Sequence, residues 1–155
     1  MDKTIRILTS YVIGLFLVFG FYVVIYGHIL PGEGFDGGLL IASAFILCMI
    51  VYGKDVTRKR LNISTAITVS ATSGLLLIAV GFLGFLGLRE GHSFFLDNFL
   101  PQGDPHYLFS GGIVPILNIL LGLLVGFGFY ALFGYLVVYR GTRIDANKNN
   151  ANERE

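Results

Sequence analysis

The sequence predicts an all-α integral membrane protein with four transmembrane helices and both termini on the cytoplasmic side. Three observations carry that expectation. Only 14% of the 155 residues are charged while 54% are hydrophobic, against about 25% charged in a soluble domain. The apolar residues gather into four uncharged blocks, at about 7–26, 37–53, 64–88 and 112–139, each close to the roughly 20 residues a helix needs to cross a bilayer. None of the blocks alternates polar with apolar residues, as a membrane strand does.

The first block follows Lys3 and Arg6. A basic start resembles that of a signal peptide, but the block is longer than a signal core and "GFYVVIYGHIL" offers no small-x-small cleavage site, so a retained helix is expected. The second block is the shortest and holds Cys48, the single cysteine. No disulfide can form within the chain, and Cys48 reads as a small buried hydrophobe. The third block opens with "NISTAITVSATSG". Its hydroxyls can return hydrogen bonds to carbonyls of the preceding turn; lining a polar crevice is the alternative. Gly74, Gly81, Gly84 and Gly87 lie close to one face of that helix, and Gly122, Gly126 and Gly134 recur along the fourth. Both sets read as packing faces where helix backbones approach.

The loop before the fourth block, "REGHSFFLDNFLPQGDPHY", carries His92, His106, Glu90, Asp97 and Asp104. Their spacing matches no metal-ligand pattern. Within it, "SFFLDNFL" reads as a segment lying in the interface or docked on a neighbour. The fourth block opens with "SGGIVPILN". Pro115 near a helix start costs little, because the missing N–H would be unpaired there anyway. Asn118, one turn deeper, needs a partner; interhelical bonding and ion or water coordination are its two readings. Residues 1–144 are expected to form the membrane domain. The tail from 145, "DANKNNANERE", has no apolar period and is expected to be disordered.

Charge sets the orientation. Ten of the eleven Lys and Arg residues, all but Arg89, fall before the first block, between the second and third, or after the fourth. The positive-inside rule assigns that side to the cytoplasm. Tyr26 and Tyr107 then fall near the outer boundary and Tyr52 and Tyr139 near the inner one, the depth tyrosine prefers.

The same composition excludes several functions. A net charge of +1 gives no case for nucleic acid. No nucleophile–base set, metal motif or phosphate loop is present, so neither an enzyme nor a bound cofactor or metal is expected. The four blocks hold no Asp, Glu, Lys, Arg or His at mid-depth. Such groups are costly in lipid and are kept where protons or ions are relayed, so this chain is not expected to relay protons alone.

One stretch interrupts the pattern. "GHILPGEGFDGG", residues 27–38, crowds glycines, a proline, a histidine and two acids between the first two blocks. Pro31 removes a donor and holds Leu30 away from helix. Gly32, Gly34, Gly37 and Gly38 allow a sharp outer turn, with Phe35 anchoring it into the bundle. Helix 2 is expected just after Asp36, where an acid suits the helix dipole. So many glycines also imply another backbone approaching, or an unwound half-helix facing a cavity.

This motif resembles the B subunit of Mrp-type (Mnh) multisubunit cation/proton antiporters. The family pattern, roughly G-H-x-x-P-G-G-G-F-x-G-G-L, falls on Gly27, His28, Pro31, Gly32, Gly34, Phe35, Gly37, Gly38 and Leu39. Glu33 stands where the family usually has glycine. Asn118 stands near a place where some relatives carry an ionisable residue. The resemblance implies a non-catalytic, multi-pass subunit of a Na+/H+ antiporter in a prokaryotic plasma membrane. Its partners would be large proton-channel-like subunits, other small membrane subunits and the lipid bilayer, with Na+ and H+ as the complex's transported ions. On this reading Asn118, Pro115, Glu33 and Asp36 are candidate polar or ion-path contacts. The equivalent subunit of a hydrogenase-like or ferredoxin-linked respiratory complex is the alternative; a free-standing small channel or transporter is another.

Overall fold

The computed structural model describes residues 3–29, 32–53, 57, 61–86, 94–104, 107 and 110–152. It contains four long helices, α1 (Lys3–Tyr26), α2 (Gly34–Tyr52), α3 (Ile63–Leu83) and α4 (Val114–Asn152), and no strand among the described residues. All four are long and apolar enough to cross a membrane, as the block pattern requires.

The helix ends follow local chemistry and move several expected boundaries. α2 begins at Gly34, not after Asp36. Glu33 is extended, and its N–H donates to the Asp36 carboxylate at 3.5 Å, so Asp36 lies inside the first turn as a reciprocal cap. α3 begins at Ile63, where Asn62 Oδ1 accepts the Ser64 N–H at 3.3 Å. It closes in a 3-10 turn, Gly84–Leu86. α4 begins at Val114 rather than 112, because Gly111 and Gly112 have φ of +86° and +64° and cannot continue a helix. Pro115 is its second residue, where the lost N–H is harmless.

At its far end α4 runs through Asn152, across much of the tail whose composition reads as disordered. No proline interrupts residues 140–152, and extending an existing helix avoids the cost of nucleation.

The helices pack as a row: α1 against α2, α2 against α4, and α4 against α3. The two edge helices are left largely uncovered; Tyr11 and Val18 of α1 are 76% and 72% exposed, and Leu75 of α3 is 69% exposed. The interior cluster joins α2, α3 and α4 through Met49, Ile63, Ala66, Tyr130 and Ala131. Phe45 packs on Tyr130 with ring centroids 5.6 Å apart. Tyr130 is fully buried, and its hydroxyl donates to the Leu61 carbonyl at 2.8 Å.

Four of the α3 hydroxyls bond to backbone. Thr68, Thr72 and Ser73 donate to carbonyls one turn back, at 3.0, 2.7 and 2.8 Å. Ser70 donates across to the Leu124 carbonyl of α4 at 2.9 Å. Cys48 is half-buried and accepts the Thr57 hydroxyl at 3.7 Å.

The described part of the "SFFLDNFL" segment, residues 94–100, packs on its own chain. Phe95 meets Phe82 edge-on at 5.6 Å, and the Leu96 N–H donates to the Gly81 carbonyl at 3.0 Å. A methyl on Gly81 would lie 2.6 Å from the Phe95 ring. Gly81 and Gly84 therefore receive a loop and not another helix. Asn98 ties the same loop to the start of α4, its Oδ1 accepting the Ile113 N–H at 3.2 Å.

Tyr130→Phe removes one buried hydrogen bond and is expected to cost about 1 kcal/mol. Tyr135→Phe, on an exposed ring, should leave the thermal midpoint of the purified chain unchanged. Equal midpoints for the two variants would contradict the assignment of the Tyr130–Leu61 bond.

Candidate functional site

The residues of interest meet at the end of the row that carries the α1–α2 turn. α1 stops at Tyr26, and the Ile29 N–H closes a turn on the Tyr26 carbonyl at 2.9 Å. Pro31 lies outside the described residues. The chain then enters α2, whose first turn is wedged between α1 and α4.

Glycine makes that wedge possible. A methyl on Gly37 would lie 2.6 Å from Val24 Cγ2 and 2.8 Å from the Gly20 carbonyl of α1. On the other side, a methyl on Gly38 would lie 2.6 Å from the Gly122 carbonyl of α4. At Gly34 it would collide with the Asn118 backbone carbonyl. Gly34, Gly37 and Gly38 are thus helical residues whose missing side chains admit two other backbones. Of the two readings of this stretch, backbone approach describes these three glycines.

Asn118 completes the contact. It is 8% exposed, and its Oδ1 accepts the Gly34 N–H at 3.2 Å. The first N–H groups of a helix have no partner within it; here a side chain from another helix supplies one. Its Nδ2 is buried with no partner among the described residues. Gly27 lets this amide lie against the α1 turn, since a methyl there would sit 2.8 Å from Nδ2. His28 is half-buried, yet both its ring nitrogens are buried and unpartnered among the described residues. A methyl on Gly111, ahead of α4, would lie 3.9 Å from its ring.

Other candidates fall outside this contact. Phe35 is 43% exposed and does not anchor into the bundle. As the second residue of α2 it lies on the side away from the inward-facing Gly34, Gly37 and Gly38. Glu33 and Asp36 are also exposed. Gly32 contributes a carbonyl, 2.7 Å from where a Gly27 methyl would be. Pro115 lines, with Ile25, Ile116 and Ile119, an apolar cavity of about 540 Å³ at this end. Gly20, Val24 and Asn98 escaped sequence reasoning. The spacing of Gly20, Val24 and Gly27 marks one helix face, which was the available signal.

Chemically, the site offers an amide NH2, an imidazole and backbone carbonyls in apolar surroundings. Among the described residues no three His, Cys, Asp or Glu side chains come together. The spans carry no charge at mid-depth.

These features define a class: a small polytopic helical membrane protein, uncharged at its centre, whose helices converge at one end on a glycine-lined contact. Residues 4–131 match the family described as a domain related to the MnhB subunit of Na+/H+ antiporter, and the chain belongs to that family. The resemblance read from the glycine motif is borne out. An uncharacterized protein of Methanocaldococcus jannaschii is 35% identical over 115 residues, covering 72% of this chain and 43% of that protein. A Staphylococcus aureus protein, provisionally named antiporter subunit mnhB2, is 42% identical over 62 residues, covering 40% of this chain and 44% of that protein. Each match thus spans less than half of the relative's length.

Gly37→Ala and Gly38→Ala are each expected to destabilise the purified chain by roughly 1–3 kcal/mol, the usual cost of overpacking. Gly14→Ala meets nothing within 4 Å and should be neutral or stabilising by up to about 1 kcal/mol through helix propensity. Asn118→Leu should cost about 1 kcal/mol by stranding the Gly34 N–H. Thermal midpoints in one detergent check all four; a Gly38→Ala variant as stable as Gly14→Ala would refute the backbone contact.

Proposed function

We propose that this chain is a non-catalytic membrane subunit of a multisubunit Na+/H+ antiporter in a prokaryotic plasma membrane. Both termini face the cytoplasm and the glycine contact lies at the outer end. One observation carries the reading: a member of the MnhB-related family has four spans without an Asp, Glu, Lys, Arg or His at mid-depth. A chain of this kind lacks its own proton relay, so the titrating groups belong to larger subunits packed against it. The uncovered faces of α1 and α3 suit such neighbours.

Within that complex, the glycine contact fixes three helices while His28 and Asn118 stand beside the cation path. The His28 ring nitrogens and Asn118 Nδ2, buried and without a partner among the described residues, support this placement. Glu33 and Asp36, exposed at the outer mouth, attract cations only weakly, since charges there are screened within about 8 Å at physiological salt.

Affinity purification through a tag on this chain, in mild detergent, should bring down large antiporter-like membrane subunits. Recovery of the chain alone, or beside hydrogenase-like subunits, would argue against the assignment. His28→Leu is a sharper test of the ion-path contact. Replacing an imidazole whose buried nitrogens have no partner among the described residues by hydrocarbon should leave chain stability equal or higher, while Na+-dependent proton uptake by the assembled complex falls several-fold. Unchanged antiport removes His28 from the path.

A further inference from the structure

The loop between α3 and α4 is inside out where it meets α3. Residues 94–97 are Phe, Phe, Leu and Asp, and it is the acid that is buried. Phe94, Phe95 and Leu96 are 55%, 42% and 40% exposed, whereas Asp97 is 9% exposed. Leu96 holds φ at +64°, a left-handed conformation that bulky side chains avoid. A loop bathed in water shows the reverse order, with its acid outside and its large apolar side chains covered. The exposed patch also extends beyond the loop. Phe82, Phe85 and Leu86 are exposed beside it, and the rings of Phe82 and Phe85 lie 5.6 and 6.2 Å from that of Phe95. Contiguous apolar surface of this kind marks contact with a membrane or another protein.

We infer that residues 94–96 re-enter the bilayer beside α3 and face lipid acyl chains, so that this end of α3 is a lipid-facing edge and not a subunit interface. Depth carries the first half. The Leu96 N–H donates to the Gly81 carbonyl at 3.0 Å. Gly81 stands five residues before Leu86, where the span ends, which is about 8 Å along the axis. The span of 24 residues is about 36 Å long, so a hydrocarbon core of about 30 Å leaves about 3 Å beyond it at each end. The loop backbone thus reaches roughly 5 Å into hydrocarbon. Backbone at that depth must be bonded within the protein. The Leu96 N–H has the Gly81 carbonyl, and the Asp97 N–H has the Phe94 carbonyl at 3.1 Å. An acid there belongs inside the protein, where Asp97 lies. The glycines carry the second half. In lipid, helices associate where small residues let backbones approach. α3 has two such residues at this end, Gly81 and Gly84, and the loop occupies both. A methyl on Gly81 would lie 2.6 Å from the Phe95 ring, and one on Gly84 would collide with the Phe94 carbonyl. What remains outside is a layer of large rings, which holds a neighbouring helix off and leaves acyl chains to cover it. Partner subunits keep α1 and the rest of α3. The inference requires only that the chain spans a bilayer, so it stands or falls apart from the antiport reading.

The sequence has no tryptophan, so a single introduced one reports its own surroundings. Phe94→Trp is compared with Gln102→Trp, at an exposed polar position of the same loop, in the full chain reconstituted into phosphatidylcholine vesicles. Phe94→Trp should lose most of its emission when the lipid is replaced by acyl-brominated phosphatidylcholine, and should keep it against iodide present on both sides of the membrane. Gln102→Trp should respond in the opposite sense. Equal iodide quenching of the two variants puts the loop in water and overturns the inference. A benzophenone side chain introduced at position 94 carries the test to the assembled complex. Photocrosslinked adducts to phospholipid are expected. A crosslink to another subunit shows that a partner covers this face, and overturns the lipid assignment.

Discussion

The structure depends on direct contact between the backbone of the first turn of α2 and the backbones of α1 and α4. In a bilayer, apolar side chains gain little by leaving lipid for protein, so helices associate through close packing. Packing of that kind is a sum of many short contacts, each forfeited by a gap below an ångström. Gly37 against Gly20 and Gly38 against Gly122 remove the side chains that would hold the helices apart. Close approach then creates its own demand, because it buries the Gly34 N–H at a helix end. Asn118 meets that demand from a neighbouring helix. The amide is therefore part of the same packing solution as the glycines.

Polarity is confined accordingly. Toward the centre, the hydroxyls of α3 bond to backbone within the helix or to α4, and Tyr130 bonds to the Leu61 carbonyl. Glu33 and Asp36 lie on the surface at the turn end, and Lys3 and Arg6 on the surface at the other. The row arrangement gives α2 and α4 the interior and leaves α1 and α3 as edges.

Much of the fold was legible in the sequence because lipid imposes simple rules. Uninterrupted apolar length located all four spans, and the glycine motif pointed to the family. The limits lay where two elements meet. Phe35 looks like an anchor when the stretch is read as a loop, but becomes a surface residue once Asp36 caps a helix at Gly34. Gly81 reads as a helix-packing position, yet Phe95 from the following loop occupies it. The partner of Asn118 could not be read at all, since it is a backbone N–H 84 residues away. Side-chain type gave the need for a bond; only tertiary structure supplies its address. The polar tail misled for a related reason, since composition describes an isolated segment and this one continues a formed helix.

That separation has a consequence for how the chain is made. Gly34 must wait for Asn118, 84 residues later, which at about 5–20 residues per second is roughly 4–17 s of synthesis. During this interval the first hairpin sits in the membrane with an open amide at its tip. Arrival of α4 closes it, so the fourth span also acts as the latch for the first two.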